Sequence, residues 1–167
     1  NGTIGIAVGM ATSVPPHNLT EVCDASMYLI EHPEATVEDL MQFVKGPDFP
    51  TGGAIYDRKE IQACYATGKG SVATRAITNI EETKAGHRIL VKELPYMVNK
   101  ATLITKIADA VKEKRLDGIR DLRDESDKEG IRIVIELKKD AYPKKVLNRL
   151  FVITDLQKTF HVNMLAL

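Results

Sequence analysis

"HRILVKELPYMVNKATLITKIADAVKEKRLDGI", residues 87–119, changes its apolar period midway, and that change decides the fold class. The first eight residues alternate as a half-buried strand does. Asn99 then offers a helix cap, and Leu103, Ile104, Ile107, Ala108 and Val111 recur at helical spacing until Gly118 closes the run. Upstream, "SVATRAITNIEE" (71–82) also alternates and folds back on the first strand around the turn "TKAG" (83–86). Downstream, "IRDLRD" (119–124) and "IRIVIELK" (131–138) form a second strand pair, with Ile131, Ile133, Ile135 and Leu137 on one face. Strand pairs separated by a helix predict an α+β fold, a largely antiparallel sheet with helices packed on it.

Working outward, Asn18 caps a first helix with Glu21 three residues on. Leu19, Val22, Cys23, Ser26, Met27 and Ile30 fall on one face, the side expected to pack, and Pro33 stops the helix. Thr36 caps a short helix ended by Gly46-Pro47. "KGPDFPTGG" (45–53) is turn chemistry. "GAIYD" (53–57) reads as a short strand and "RKEIQACYATG" (58–68) as a helix closed by Gly68. "YPKKVLNRLFV" (142–152) is helical with Pro143 in its first turn, and "TFHVNMLAL" (159–167) is a last strand. The opening "TIGIAVGMATSVPPHNLTE" (3–21) places isoleucines among glycines as a hairpin or loop, before a double proline.

The 167 residues, 44% hydrophobic and 28% charged, suit one domain, or one compact domain with an appended segment. No apolar run approaches the ~20 residues needed to cross a bilayer. Cys23 and Cys64 give neither a metal spacing nor a disulfide framework, which points to a reduced, intracellular setting. The sequons at Asn1 and Asn18 would matter only in a secreted chain. Formal charge is zero, but residues 1–60 hold three Lys/Arg against nine Asp/Glu, and residues 100–149 hold fourteen against ten. That polarity permits a nucleic-acid surface on the later part. The sign-interleaved "KEKRLDGIRDLRDESDKEG" reads as a salt-bridged face.

Self-contained chemistry is missing. "ATGKGS" lacks the first glycine of a phosphate loop, since Ala63 stands there. His17, His32, His87 and His161 are scattered, as surface or cap histidines are. "RDESDKEG" misses the alternating ligands of a calcium loop and reads as a hairpin turn. From the residues alone, Ile6 is a buried strand residue or an exposed apolar tool.

Six stretches, "GIAVGMATSVPPHNLTEV", "GPDFPTGGAI", "YATGKGSVATRA", "ELPYMVNKATLITKIADAVKEKRLDGI", "LRDESDKEGIRIVIELKKDA" and "NMLAL", occur in an order that resembles the A subunits of bacterial type IIA DNA topoisomerases, gyrase ahead of topoisomerase IV. The resemblance covers essentially the whole chain. It implies the tower domain of the breakage–reunion core, with residues 1–16 a DNA-facing segment and 17–167 the tower, incomplete at both ends. It implies double-stranded DNA as ligand, with Ile6 the wedge that enters a base step and Lys69, Arg75 and Lys100 as DNA contacts. The alternative for the three cations is solvated strand and helix ends. Lys69 stands where the family commonly has arginine, keeping charge but losing the planar fork.

The same resemblance implies a piece of a larger enzyme. The nucleophilic tyrosine follows an arginine in the family, and none of Tyr28, Tyr56, Tyr65, Tyr96 or Tyr142 does. The chain is therefore expected to hold no catalytic residue, metal or cofactor of its own. ATP and Mg2+ belong to the partner, the gyrase B subunit, and a second copy of the gyrase A subunit completes an A2B2 heterotetramer in the bacterial cytoplasm, at the nucleoid. The competing expectation is a structural strut with little DNA affinity.

Overall fold

A computed structural model of the chain describes residues 2–84 and 86–166. Asn1, Ala85 and Leu167, which fall in the first sequon, the expected TKAG turn and the last strand of the sequence reading, lie outside it. The fold is α+β with two antiparallel-built sheets, of strand order β1-β2-β9-β4-β3 and β5-β6-β8-β7. The chain forms two compact units, one of residues 2–50, 55–73 and 159–166, the other of 51–54, 74–84 and 86–158.

The second unit contains the stretch that decided the fold class. β5 (Ile77–Thr83), β6 (Gly86–Glu93), β7 (Ile119–Asp124) and β8 (Ile133–Leu137) form its sheet. The register places Ile80, Ile89, Ile135 and Leu122 in one row across the four strands. Ile89, Val91, Ile133, Ile135 and Leu137 join a buried core closed by α4 (Lys100–Lys112) and α5 (Pro143–Ile153). α4 begins where expected, with Asn99 Oδ1 accepting from Thr102 N at 3.0 Å. It buries Leu103, Ile107 and Ala110, and α5 buries Val146 and Leu150. The opposite sheet face carries the interleaved charges as ion pairs. Arg123 meets Asp121 at 2.7 Å, Glu136 at 2.8 Å and Glu125 at 3.3 Å, and Arg88 meets Glu81 at 2.7 Å. Their aliphatic stems suit a row in which Leu90 and Val134 are buried between Asn79 and Arg123.

The run "SVATRAITNIEE" is two strands rather than one. β4 (Lys69–Arg75) lies in the first sheet and β5 in the second. The break falls at buried Ala76, whose N–H donates to Leu156 O at 2.8 Å. That partner is distant in sequence and invisible to a local period.

The first unit holds the hairpin of β1 (Thr3–Ala7) and β2 (Met10–Val14), α1 (Leu19–Glu31), α2 (Val37–Leu40), α3 (Arg58–Thr67) and most of β9 (Gln157–Asn163). β3 (Ala54–Ile55) ends the sheet. Cys64, Val72 and Val162 are buried together, with Ile55, Phe160 and Met164 around them. The expected caps are present: Asn18 accepts from Thr20 N and Glu21 N, Thr36 and Asp39 cap each other reciprocally, and Gly68 closes α3 at φ +69°. α1 corrects the sequence reading. Its one buried residue is Ala25, and Tyr28 packs inward on His32 and Phe43 while the expected core stripe faces solvent. No helix among the described residues is long and apolar enough to cross a membrane.

Candidate nucleic-acid interface

The opening segment is a tight hairpin. Five antiparallel pairs run from Thr3–Val14 to Ala7–Met10, leaving Val8 and Gly9 as a two-residue turn. Gly9 sits at φ +75°, a region that β-branched residues avoid. A Cβ at Gly5 would meet the Thr12 methyl at 3.2 Å, so the strands close tightly there. The alternation that reads as a core strand instead projects outward. Ile6 is 89% exposed and Val8 fully so, with Ile4 and Met10 also exposed. Several exposed apolar side chains on one projection, rather than one stray leucine, make it a candidate binding surface. Residues 2–20 carry no Asp, Glu, Lys or Arg.

An isolated two-stranded hairpin is marginal in water, and this one is tied down. Ser13 pairs with Asn163 of β9. Thr12 Oγ1 donates to Asn163 O at 3.1 Å, and Asn163 Nδ2 donates to Ala11 O at 2.6 Å. The same segment holds the junction of α3 and β4 at which Lys69 lies, because Met164 N donates to Gly68 O at 2.7 Å. Asn163–Leu165 is thus hydrogen-bonded on one side to the hairpin and on the other to the residue before Lys69. Sequence reasoning missed Asn163, Thr12 and Val8. The first two act across about 150 residues, with no local signal.

Ile6 and Lys69 therefore lie in one unit on elements sharing an anchor, whereas Arg75 and Lys100 belong to the other unit. Lys69 is exposed, and Thr67 Oγ1 fixes its backbone by donating to its carbonyl at 2.8 Å. Arg75 ends β4, its Nε donating to Gln157 Oε1 at 2.6 Å and its guanidinium lying 5.3 Å from the Phe151 ring centre. Lys100 opens α4 with its ammonium 2.7 Å from Asp124 Oδ2. That pairing, with Ser126 also donating to the carboxylate, brings Asp124 down to about 2.

Two further titratable groups meet away from these cations. His17 Nε2 lies 2.6 Å from the Tyr65 hydroxyl in a half-buried pair, so His17 is no surface histidine. Burial lowers the His17 pKa and pushes Tyr65 well above its ordinary value, the reverse of an activated nucleophile. His32 caps α1, as a cap histidine would. Among the described residues no group of three or more His, Cys, Asp and Glu side chains is placed to hold a metal.

A model of the family of DNA gyrase/topoisomerase IV A subunits matches residues 1–167. The chain is 57% identical over 170 residues to the DNA gyrase A subunit of Dehalogenimonas lykanthroporepellens, covering 100% of this chain and 21% of that protein. It is 56% identical over 168 residues to the DNA gyrase A subunit of Clostridium acetobutylicum, covering 100% and 20%. Against the DNA topoisomerase 4 A subunit of Streptococcus pyogenes the figure is 53% over 168 residues, again 100% and 20%. The chain spans about one fifth of the length of the curated relatives it matches.

Proposed function

Because this chain belongs to the family of DNA gyrase/topoisomerase IV A subunits, we propose that it is a duplex-holding and duplex-bending part of a bacterial type IIA topoisomerase, the tower of a gyrase A subunit. The observation that carries this reading is the tethered hairpin with Ile6 almost wholly in solvent. An aliphatic side chain entering a base step costs a few kcal/mol of unstacking, offset by the wider contact that a bent duplex makes with protein. At ~3.4 Å per strand residue, the turn stands roughly 7 Å beyond the Ile6–Ala11 pair, where the tether ends. Lys69 supplies a phosphate contact from the same unit. Arg75 and Lys100 would add others by leaving Gln157 and Asp124.

In the complete enzyme this part serves ATP-dependent double-strand passage and negative supercoiling. The nucleophilic tyrosine lies elsewhere in the same polypeptide, and ATP and Mg2+ are held by the gyrase B subunit in an A2B2 assembly in the bacterial cytoplasm. A structural strut is the second reading, favoured by the internal pairing of Arg75 and Lys100. The test is Ile6→Ala in the assembled enzyme, with bending followed by energy transfer between the ends of a labelled duplex. The wedge predicts lost bending, cleavage and supercoiling with folding stability unchanged. An Ile6→Ala enzyme that bends DNA normally would refute it.

A further inference from the structure

The helix that faces the wrong way carries information of its own. On α1, at 100° per residue, Leu19, Cys23, Ser26, Met27 and Ile30 fall within about 100° of arc, the width of a helix-packing stripe. Glu21, Asp24 and Glu31 all fall outside that arc. Leu19 is 68%, Met27 58% and Ile30 78% exposed, although these are the positions an amphipathic helix buries. Beside the stripe, Val22 leads into an apolar groove of about 280 Å3 lined also by Val37, Leu40, Met41, Val44 and Met164, all in the same unit. A stripe and an adjoining groove together form a seat for another apolar element.

The size of the seat identifies its occupant. Thirteen helical residues span ~20 Å, so stripe and groove offer roughly 200–400 Å2, well below the ~800 Å2 per partner of a stable interface between separate chains. A tethered element needs far less area, because the connecting chain holds it at an effective concentration near the millimolar range. About four fifths of the length of the relatives lies outside the part that this chain matches. We infer that the outward face of α1 and the groove beside α2 form an intrasubunit docking surface, covered by an apolar, helix-sized element of the same polypeptide beyond these 167 residues. The inference rests on family membership and chain length, and stands whether or not the hairpin bends DNA.

Cys23 lies on the stripe and is exposed, while Cys64 is buried and serves as an internal reference. Alkylation of Cys23 by iodoacetamide, read by mass spectrometry, should proceed in the 167-residue chain at nearly the rate of a free-thiol peptide. In the full-length polypeptide, without partner or DNA, it should be at least ten-fold slower. Equal rates in the two proteins would overturn the inference. So would protection of the 167-residue chain that grows with its concentration, which means a second copy, or protection of the full-length polypeptide only after partner or DNA is added. The pair Met27→Gln and Ile30→Gln should lower the Tm of the full-length polypeptide by several degrees and leave that of the 167-residue chain unmoved. Equal shifts would mark the stripe as part of the unit's own core and overturn the inference.

Discussion

Removing the amide of Asn163 tests whether the hairpin owes its order to β9. Asn163→Ala deletes the 2.6 Å bond from Nδ2 to Ala11 O but keeps the backbone pairing with Ser13 and the bond from Thr12 Oγ1. A net hydrogen bond is worth about 0.5–1.5 kcal/mol, and partial exposure puts this one in the lower half. Because a two-stranded ribbon has little stability of its own, the loss should appear as local opening rather than global unfolding. About 0.5–1 kcal/mol corresponds to two- to five-fold faster opening. Amide hydrogen exchange should therefore quicken by that factor across residues 4–13 and stay unchanged at Ile89, Ile133 and Leu150, buried in the second unit. Asn163→Asp, which sets a carboxylate oxygen against the Ala11 carbonyl, should quicken exchange at least as much. Unchanged hairpin exchange, or equal acceleration in the core, would refute the tether.

Three further outcomes follow. Asp124 ordinarily titrates at 3.8 and here at about 2 because of Lys100, so the pair stabilises the fold above pH 4 and loses its contribution as pH falls from about 4 to 2. With both side chains about one-third exposed, the effect is about 0.5–1 kcal/mol, and the urea midpoint difference between wild type and Lys100→Met should at least halve between pH 6 and pH 2. A Cβ on Gly70 would land on the buried Cys64 Sγ, so Gly70→Ala should cost about 1–3 kcal/mol, and Cys64→Ala in the same chain should recover part of it in a double-mutant cycle. Lys69→Ala should weaken duplex binding evenly across sequences and reduce the salt slope by about 1; an unchanged slope would remove Lys69 from the interface.

What was legible in the sequence is what is local. α4 combined a cap at Asn99 with the apolar stripe of Leu103 and Ile107, and both occur where the pattern placed them. The charges of residues 112–130 form ion pairs on β7, β8 and their connections, as interleaving implied. The change of sheet at Ala76 was hidden because alternation runs unbroken through it, and its cause is the carbonyl of Leu156. α1 shows the other limit: periodicity reveals that a face is apolar, but not which element covers it. The candidate site was legible only through family resemblance. Alternating isoleucines describe a core strand as readily as an exposed one, and the tether at Asn163 lies some 150 residues from the hairpin it steadies.

If the hairpin enters a duplex as proposed, the absence of charge over residues 2–20 would divide the labour of gripping it. A polyanion neither draws in nor repels such a projection at long range, and no counterion need leave when it enters the stack. Lys69 and the other proposed contacts would then draw the duplex in with a strength that ionic conditions tune. On the proposed reading, salt would act on the duplex through the cations, whereas the entry of Ile6 into a base step would depend on the shape of the hairpin.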